Sequence, residues 1–310
     1  MLADNPEQIL VIKLSALGDF VLSIASFQAI RAHHPAAEIT LLTTAPYRGL
    51  AEASGCFQRV WIDSRPGRWQ PLAWLALRRR LNGGGFSRVY DLQRSDRSGG
   101  YFRLLGRPKP EWVGIAAGAS HRYVQPADRT MHICDREADQ LALAGIARPG
   151  LPDLSFLTAD LAAFDLPADT ALLVPGGSAH RPGKRWPAQH YAALARHLLE
   201  KGVTPLLLGA AAERREIAEI AAAAPGARDL CGRTDLPALA ALGRGACLAV
   251  GNDTGPMHLI AAAGAPSLVL YSADSDPAKV APRGPSVATL QRPALSDLPL
   301  ENVIAALPQP

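Results

Sequence analysis

The chain has 310 residues, enough for two domains of ordinary size, and its 48% hydrophobic and 19% charged residues make a globular composition. A formal net charge of +4 and a pI near 9.0 suit an anionic ligand or an anionic membrane surface, but without stacked aromatics or a recognised motif they do not make a nucleic-acid binder. No apolar run reaches the roughly 18 residues of a membrane span, and the first twelve residues lack the pattern of a secretory leader. Cys56, Cys134, Cys231 and Cys247 have no CxxC spacing, which fits reduced thiols in a cytoplasm rather than zinc ligands.

The first half alternates strand and helix. A strand over 8–14, apolar except for Lys13, runs into the loop Ser15-Ala16-Leu17-Gly18-Asp19 and an amphipathic helix over 20–33. Strands follow over 38–43, 59–62, 88–92 and 111–114, and helices over 46–54, 69–81, 98–105 and 132–147, with a loop over 116–129. Such alternation predicts a parallel sheet covered by helices, because parallel neighbours need crossover connections. The proline-rich segment 149–167 breaks the periodicity and predicts a hinge.

The second half repeats the alternation, with strands over 171–174, 204–208, 247–250 and 266–271 and helices over 187–201, 213–224 and 236–243. The expected division is an N-terminal domain, 1–160, a C-terminal domain, 168–295, and a terminal helix, 296–310, that packs back across the hinge. Two such α/β domains are expected to face each other across a cleft, with ligands at the carboxyl ends of the strands.

Three strand-to-helix turns carry residues suited to chemistry. In the first, Asp19 sits at a helix start, as an N-cap or as an ionised carboxylate able to act as a general base. The second joins Pro175-Gly176-Gly177-Ser178 to Gly183-Lys184-Arg185-Trp186-Pro187, where Gly177 permits close approach, Ser178 offers a hydroxyl and Lys184 a fixed charge for a diphosphate. It is neither a Walker loop, which needs Ser or Thr where Arg185 stands, nor GxGxxG. The third, Gly251-Asn252-Asp253-Thr254-Gly255-Pro256-Met257-His258, ends a buried strand and opens a helix, so unpaired N–H groups meet a ligand there. Glu213 is either a ribose-binding acid or a solvated first-turn acid.

With these pieces in order, the chain resembles the lipopolysaccharide heptosyltransferases of glycosyltransferase family 9. The resemblance rests on residues 9–13 leading to the Gly18-Asp19 loop, Tyr90-Asp91-Leu92-Gln93, Lys184-Arg185-Trp186-Pro187, the Asn252–His258 motif, Asp276-Pro277 and Pro282-Arg283-Gly284. It implies a GT-B architecture of two Rossmann-like domains. It also implies transfer of heptose from ADP-heptose to a lipopolysaccharide inner-core acceptor of the lipid A-core type, with inversion, no metal and no cofactor.

Carried over by position, the base is Asp19 and the phosphate-binding lysine is Lys184. Donor contacts fall on Gly177, Ser178, Lys184, Glu213, Asp253, Thr254, Gly255 and His258. Gln93, Arg94, Arg97 and Arg103 are the expected acceptor contacts. With Arg78, Arg79 and Arg80, the arginines Arg94, Arg97 and Arg103 would also meet the cytoplasmic face of the inner membrane as a peripheral contact. The stretch Tyr271-Ser272-Ala273-Asp274-Ser275-Asp276-Pro277 departs from the Gly-Pro/Ser-Thr-Asp-Pro more usual in the family. That leaves two other readings: a GT-B transferase using another nucleotide sugar for a cell-surface glycan, or a nucleotide-sugar-binding protein without turnover.

Overall fold

The computed structural model describes residues 6–126, 130–177 and 182–308. It divides into two units, Met1–Gly150 and Leu151–Pro310. The proline-rich segment predicted as a hinge therefore falls mostly in the second unit.

In the first unit β1 (Gln8–Ile12) leads to α1 (Leu17–Leu22) and α2 (Ile24–His33), then β2 (Glu38–Thr43), α3 (Arg48–Ala53), β3 (Arg59–Ile62) and α4 (Pro71–Gly83). The unit continues with β4 (Arg88–Asp91), α5 (Asp96–Leu104), β5 (Glu111–Gly114), β6 (His121–Arg122) and α6 (Ile133–Ala142). The six strands are parallel, in the order β3-β2-β1-β4-β5-β6. Ile9, Leu10, Val11 and Ile12 are fully buried, because helices cover both faces of the sheet and leave no polar side for a strand to alternate toward.

The second unit repeats this topology. It contains β7 (Thr170–Val174), α7 (Ala188–Glu200), β8 (Thr204–Leu207), α8 (Arg214–Ala223), β9 (Arg228–Asp229) and α9 (Leu236–Gly245). Then come β10 (Leu248–Asn252), α10 (Gly255–Ala263), β11 (Ser267–Tyr271), α11 (Pro277–Val280), β12 (Val287–Gln291) and α12 (Leu300–Ala305). Its order, β12-β11-β10-β7-β8-β9, places the first, second and third strands of the unit on one side and the fourth, fifth and sixth on the other, as in the first unit. Each sheet thus has a switch point between its first and fourth strands, where Ile12 pairs with Asp91 and Val174 with Gly251. Open α/β sheets bind ligands there, at the carboxyl ends.

Several expectations are corrected. The helix predicted over 20–33 is two helices, because the Ser23 hydroxyl donates to the Asp19 carbonyl at 2.8 Å and to Glu137 at 2.8 Å at the junction. The loop predicted over 116–129 contains the edge strand β6, two residues long and too short to show a period. The final apolar segment, expected to return across the hinge, is seated in the second unit's core. There Val303 is fully buried in a cluster with Trp186 and Leu198, and the Trp186 indole N–H donates to the Leu298 carbonyl at 2.8 Å.

Candidate functional site

At the switch point of the second sheet, Gly251, the last residue but one of β10, pairs with Val174. A Cβ on Gly251 would stand 2.5 Å from the Met257 sulfur and 2.8 Å from the Val174 Cβ, so only glycine lets α10 turn back this closely onto the strand. Asn252 follows, fully buried, and ties three segments together. Its Oδ1 accepts from the Trp186 N–H and from the Tyr191 hydroxyl, both at 3.1 Å, and its Nδ2 donates to the carbonyls of Pro175 at 2.6 Å and Gly176 at 3.1 Å. The glycine loop after β7, the start of α7 and the end of β10 are thereby fixed by one side chain.

That clamp sets Lys184 against Asp253. The Lys184 ammonium, only 10% exposed, donates to Asp253 Oδ2 at 2.7 Å and also to the Ser275 hydroxyl. Thr254 is the N-cap of α10 in extended conformation, with Gly255 and Pro256 in the first turn. Its side chain makes no cap bond, and its buried Oγ1 has no hydrogen-bond partner. Thr254 and Pro256 line a cavity of about 560 Å³, together with Gly177, Leu208, Gly232 and Glu213. Glu213 lines this cavity, and its Oε2 accepts from the Ala210 N–H at 2.9 Å in a first turn. Its Cγ would stand 3.0 Å from a Cβ at Gly176, so the glycine there makes room for the acid. His258 is buried on α10, and Ser178 lies outside the described residues.

The first sheet's switch point is built around charge. Asp19 is the third residue of α1, whose N-cap is Ala16, and its Oδ2 accepts from the Ala16 N–H at 3.4 Å. The carboxylate is partly exposed. The loop that carries it is held by Gln93, whose Oε1 accepts from the N–H groups of Leu14 at 2.7 Å and Ser15 at 3.2 Å. Beneath it, Lys13 is 2% exposed and pairs with Glu137 of α6 at 3.0 Å. Glu137 also accepts from Ser23 and Ser26, each at 2.8 Å, and faces Arg94 at 3.7 Å. Burial alone would raise its pKa, but Lys13, Arg94 and the two hydroxyls outweigh burial and hold it below the usual range.

Asp91, fully buried at the end of β4, goes the other way. Desolvation lifts it to about 6, although Ser98, Arg94 and Gln93 favour its charged form. Arg94 keeps a buried Nη1 with no hydrogen-bond partner, as do Arg136 at Nε and Tyr123 at its hydroxyl. The Arg136 pKa is lowered by burial first and by Arg94 next, with Tyr123 and Asp19 acting against that shift.

The four expected acceptor residues do not form one patch. Gln93 holds the loop, and Arg94 faces Glu137 while one of its buried nitrogens keeps no hydrogen-bond partner. Arg97 donates to the Pro66 carbonyl at 3.2 Å and lies over the Trp74 ring, while Arg103 lines a separate cavity of about 300 Å³ with Ser95 and Phe102. Sequence reasoning missed Asn252 as a clamp, Glu137 as the counter-charge, and Arg136 and Tyr123 as neighbours of Arg94. Of these, only Glu137 left a signal, as a carboxylate on the apolar side of an amphipathic helix.

The chain matches the model of glycosyltransferase family 9 (heptosyltransferase) over residues 74–299. It is 36% identical over 104 residues to lipopolysaccharide heptosyltransferase 2 of Escherichia coli K12, a match covering 32% of this chain and 30% of that protein. The structure of E. coli ADP-heptose lps heptosyltransferase II superposes with a TM-score of 0.75 at 23% identity, covering 97% of each chain. E. coli heptosyltransferase WaaC with ADP gives 0.76 at 20%, covering 96% of this chain and 98% of that one. At these identities the solved structures share the fold, two Rossmann-like units of the GT-B class. With the family model matched across both units, the chain belongs to glycosyltransferase family 9, the heptosyltransferase family.

Proposed function

We propose that the protein transfers a heptose from ADP-heptose to a lipopolysaccharide inner-core saccharide, with inversion and without a metal, working at the cytoplasmic face of the inner membrane. The observation that carries this reading is the buried ammonium of Lys184, held by Asp253 and Ser275 immediately before the start of α10. A fixed cation and helix-start N–H groups are what a departing diphosphate needs as its charge grows. The names of the relatives, an ADP-heptose transferase and a transferase solved with ADP, point to the same donor.

In this reading the second unit binds the donor. The diphosphate lies against Lys184, Thr254 and Gly255, Gly177 permits its approach, Ser178 offers it a hydroxyl, and Glu213 meets the ribose hydroxyls in the cavity it lines. His258 supports the first turn of α10 beneath the sugar. The first unit holds the acceptor and the base: Asp19 accepts the proton of the acceptor hydroxyl as that oxygen attacks the anomeric carbon. Arg94 and Arg136, each with an unspent buried donor, suit an anionic group on the acceptor. Gln93 keeps the Asp19 loop in place, and Arg97 and Arg103 lie further along α5.

Calorimetric titration with ADP, UDP and GDP, with and without magnesium or a chelator, tests the donor assignment. ADP is expected to bind alone, with no need of magnesium, and Lys184→Ala is expected to weaken it about ten- to a hundredfold, the loss of one charge-assisted contact. Preference for UDP or GDP would discard ADP-heptose as donor, and unchanged ADP affinity in the variant would remove Lys184 from the site.

A further inference from the structure

Helix α4 has two apolar faces. Leu77 and Leu81 are buried in the first unit's core, whereas Leu72, Leu75, Ala76 and Arg79, spaced i, i+3, i+4, i+7, lie on the opposite face. Leu72 is 81% exposed, and Trp69, in the turn before the helix, is 89% exposed, which makes these two the most exposed large apolar side chains among the described residues. The same stretch concentrates the protein's charge. Residues 64–83 hold five arginines and no acid or lysine, against a net charge of +4 for the whole chain, so the remainder is slightly negative. Arg65 and Arg80 are turned to protein partners, the Ser15 hydroxyl and the Trp61 ring, while Arg68, Arg78 and Arg79 are exposed.

We infer that this face docks the protein on an anionic lipid bilayer, with Trp69, Leu72 and Leu75 entering the headgroup region and Arg68, Arg78 and Arg79 on the lipid phosphates. Neither half of the pattern suffices alone. Arginines by themselves would make a solvated helix face, and the apolar residues by themselves would not say what covers them. An exposed tryptophan and two leucines, with exposed arginines in the same stretch, fit the bilayer interface, where the indole sits at headgroup level and basic side chains meet anionic lipid. No described helix is long and apolar enough to cross a membrane, so α4 lies along the surface. Arg94 and Arg97, grouped with Arg78–Arg80 by sequence, are not part of this face, since Arg94 is turned to Glu137 and Arg97 to the Pro66 carbonyl.

The inference rests on the membrane-face placement proposed above and names the surface responsible, and it is tested apart from the transferase reading. The full chain is sedimented with vesicles of phosphatidylglycerol and phosphatidylcholine, and with phosphatidylcholine alone. Binding to the anionic vesicles only, weakening with salt, is expected. Arg78→Gln with Arg79→Gln should lower it roughly thirtyfold, the surface contribution of two arginines. Brominated acyl chains should quench tryptophan emission in the wild type and lose most of that effect in Trp69→Phe.

ADP titration of each variant confirms an intact fold, and wild-type protein that binds vesicles but not ADP would sink the donor assignment while leaving this surface standing. Association indifferent to lipid charge or to these substitutions would overturn the inference. So would a concentration-dependent dimer abolished by Trp69→Ser, which would make the occupant a second copy of the chain.

Discussion

Replacing Glu137 by Gln tests how the first unit is held together. The carboxylate is 1% exposed and faces two cations, Lys13 at 3.0 Å and Arg94 at 3.7 Å, which are themselves 2% and 5% exposed. Glutamine keeps the shape and an acceptor oxygen, and the Ser23 and Ser26 hydroxyls can turn to suit it, but the charge that balances both cations is gone. Breaking a buried pair by neutralising one partner costs about 3–5 kcal/mol, because the other charge stays buried and uncompensated. The retained hydrogen bonds put Glu137→Gln near the lower end, about 3 kcal/mol.

The assay is urea denaturation read on the first unit's transition, because two units need not unfold together. The pH dependence gives a second reading. Since the Glu137 pKa is depressed in the folded protein, its contribution is present above the ordinary carboxylate range and fades as pH falls through the depressed value. The gap between wild type and variant should therefore narrow in acid. A shift of less than about 0.5 kcal/mol at pH 7, the range of an ordinary surface substitution, would refute the claim that this carboxylate balances Lys13 and Arg94.

Other expectations follow from neighbouring groups. Asp91 is raised to about 6, so between its unfolded value and that pH the native state holds the extra proton and wild-type stability falls as pH rises. Asp91→Asn should flatten that dependence and leave the protein up to about 3 kcal/mol more stable at pH 8, measured by denaturation across pH 4–8. An unchanged slope would count against the burial argument. Asn252→Ala strands two carbonyls and an N–H in the core, leaving the Tyr191 hydroxyl only the Val174 carbonyl, and should cost at least about 3 kcal/mol in the second unit and abolish ADP binding, read by denaturation and calorimetry. Full ADP affinity in that variant would mean that the clamp does not shape the donor site.

The two sheets were legible because buried parallel strands leave apolar runs that no solvent-facing residue interrupts, as in Ile9–Ile12 and Ala171–Val174. Edge strands were not. β6 and β9 have two residues each, and β12 alternates partial exposure over five residues among prolines and arginines. The repeat of one strand order in both units was invisible because topology is kept by hydrophobic pattern and crossover length rather than by particular residues.

At the site, Lys184, Asp253 and Thr254 could be singled out because glycine, proline and charge at a strand end carry a local meaning. Glu137 and Lys13 lie 124 positions apart, and nothing near either one announces the other. Gln93, Arg94, Arg97 and Arg103 were grouped because they lie close in sequence, whereas the loop before α5 and the helix itself send their side chains in different directions.

A transfer assay with ADP-heptose and an inner-core acceptor, run on wild type and Asp19→Asn beside ADP titration of both, decides whether Asp19 is the base of a heptosyl transfer. Heptose transfer by the wild type is expected, with the same ADP affinity in the variant and turnover reduced about 10²–10⁴-fold, the usual worth of a general base. Wild-type transfer that survives intact in a folded, ADP-binding Asp19→Asn would contradict that role.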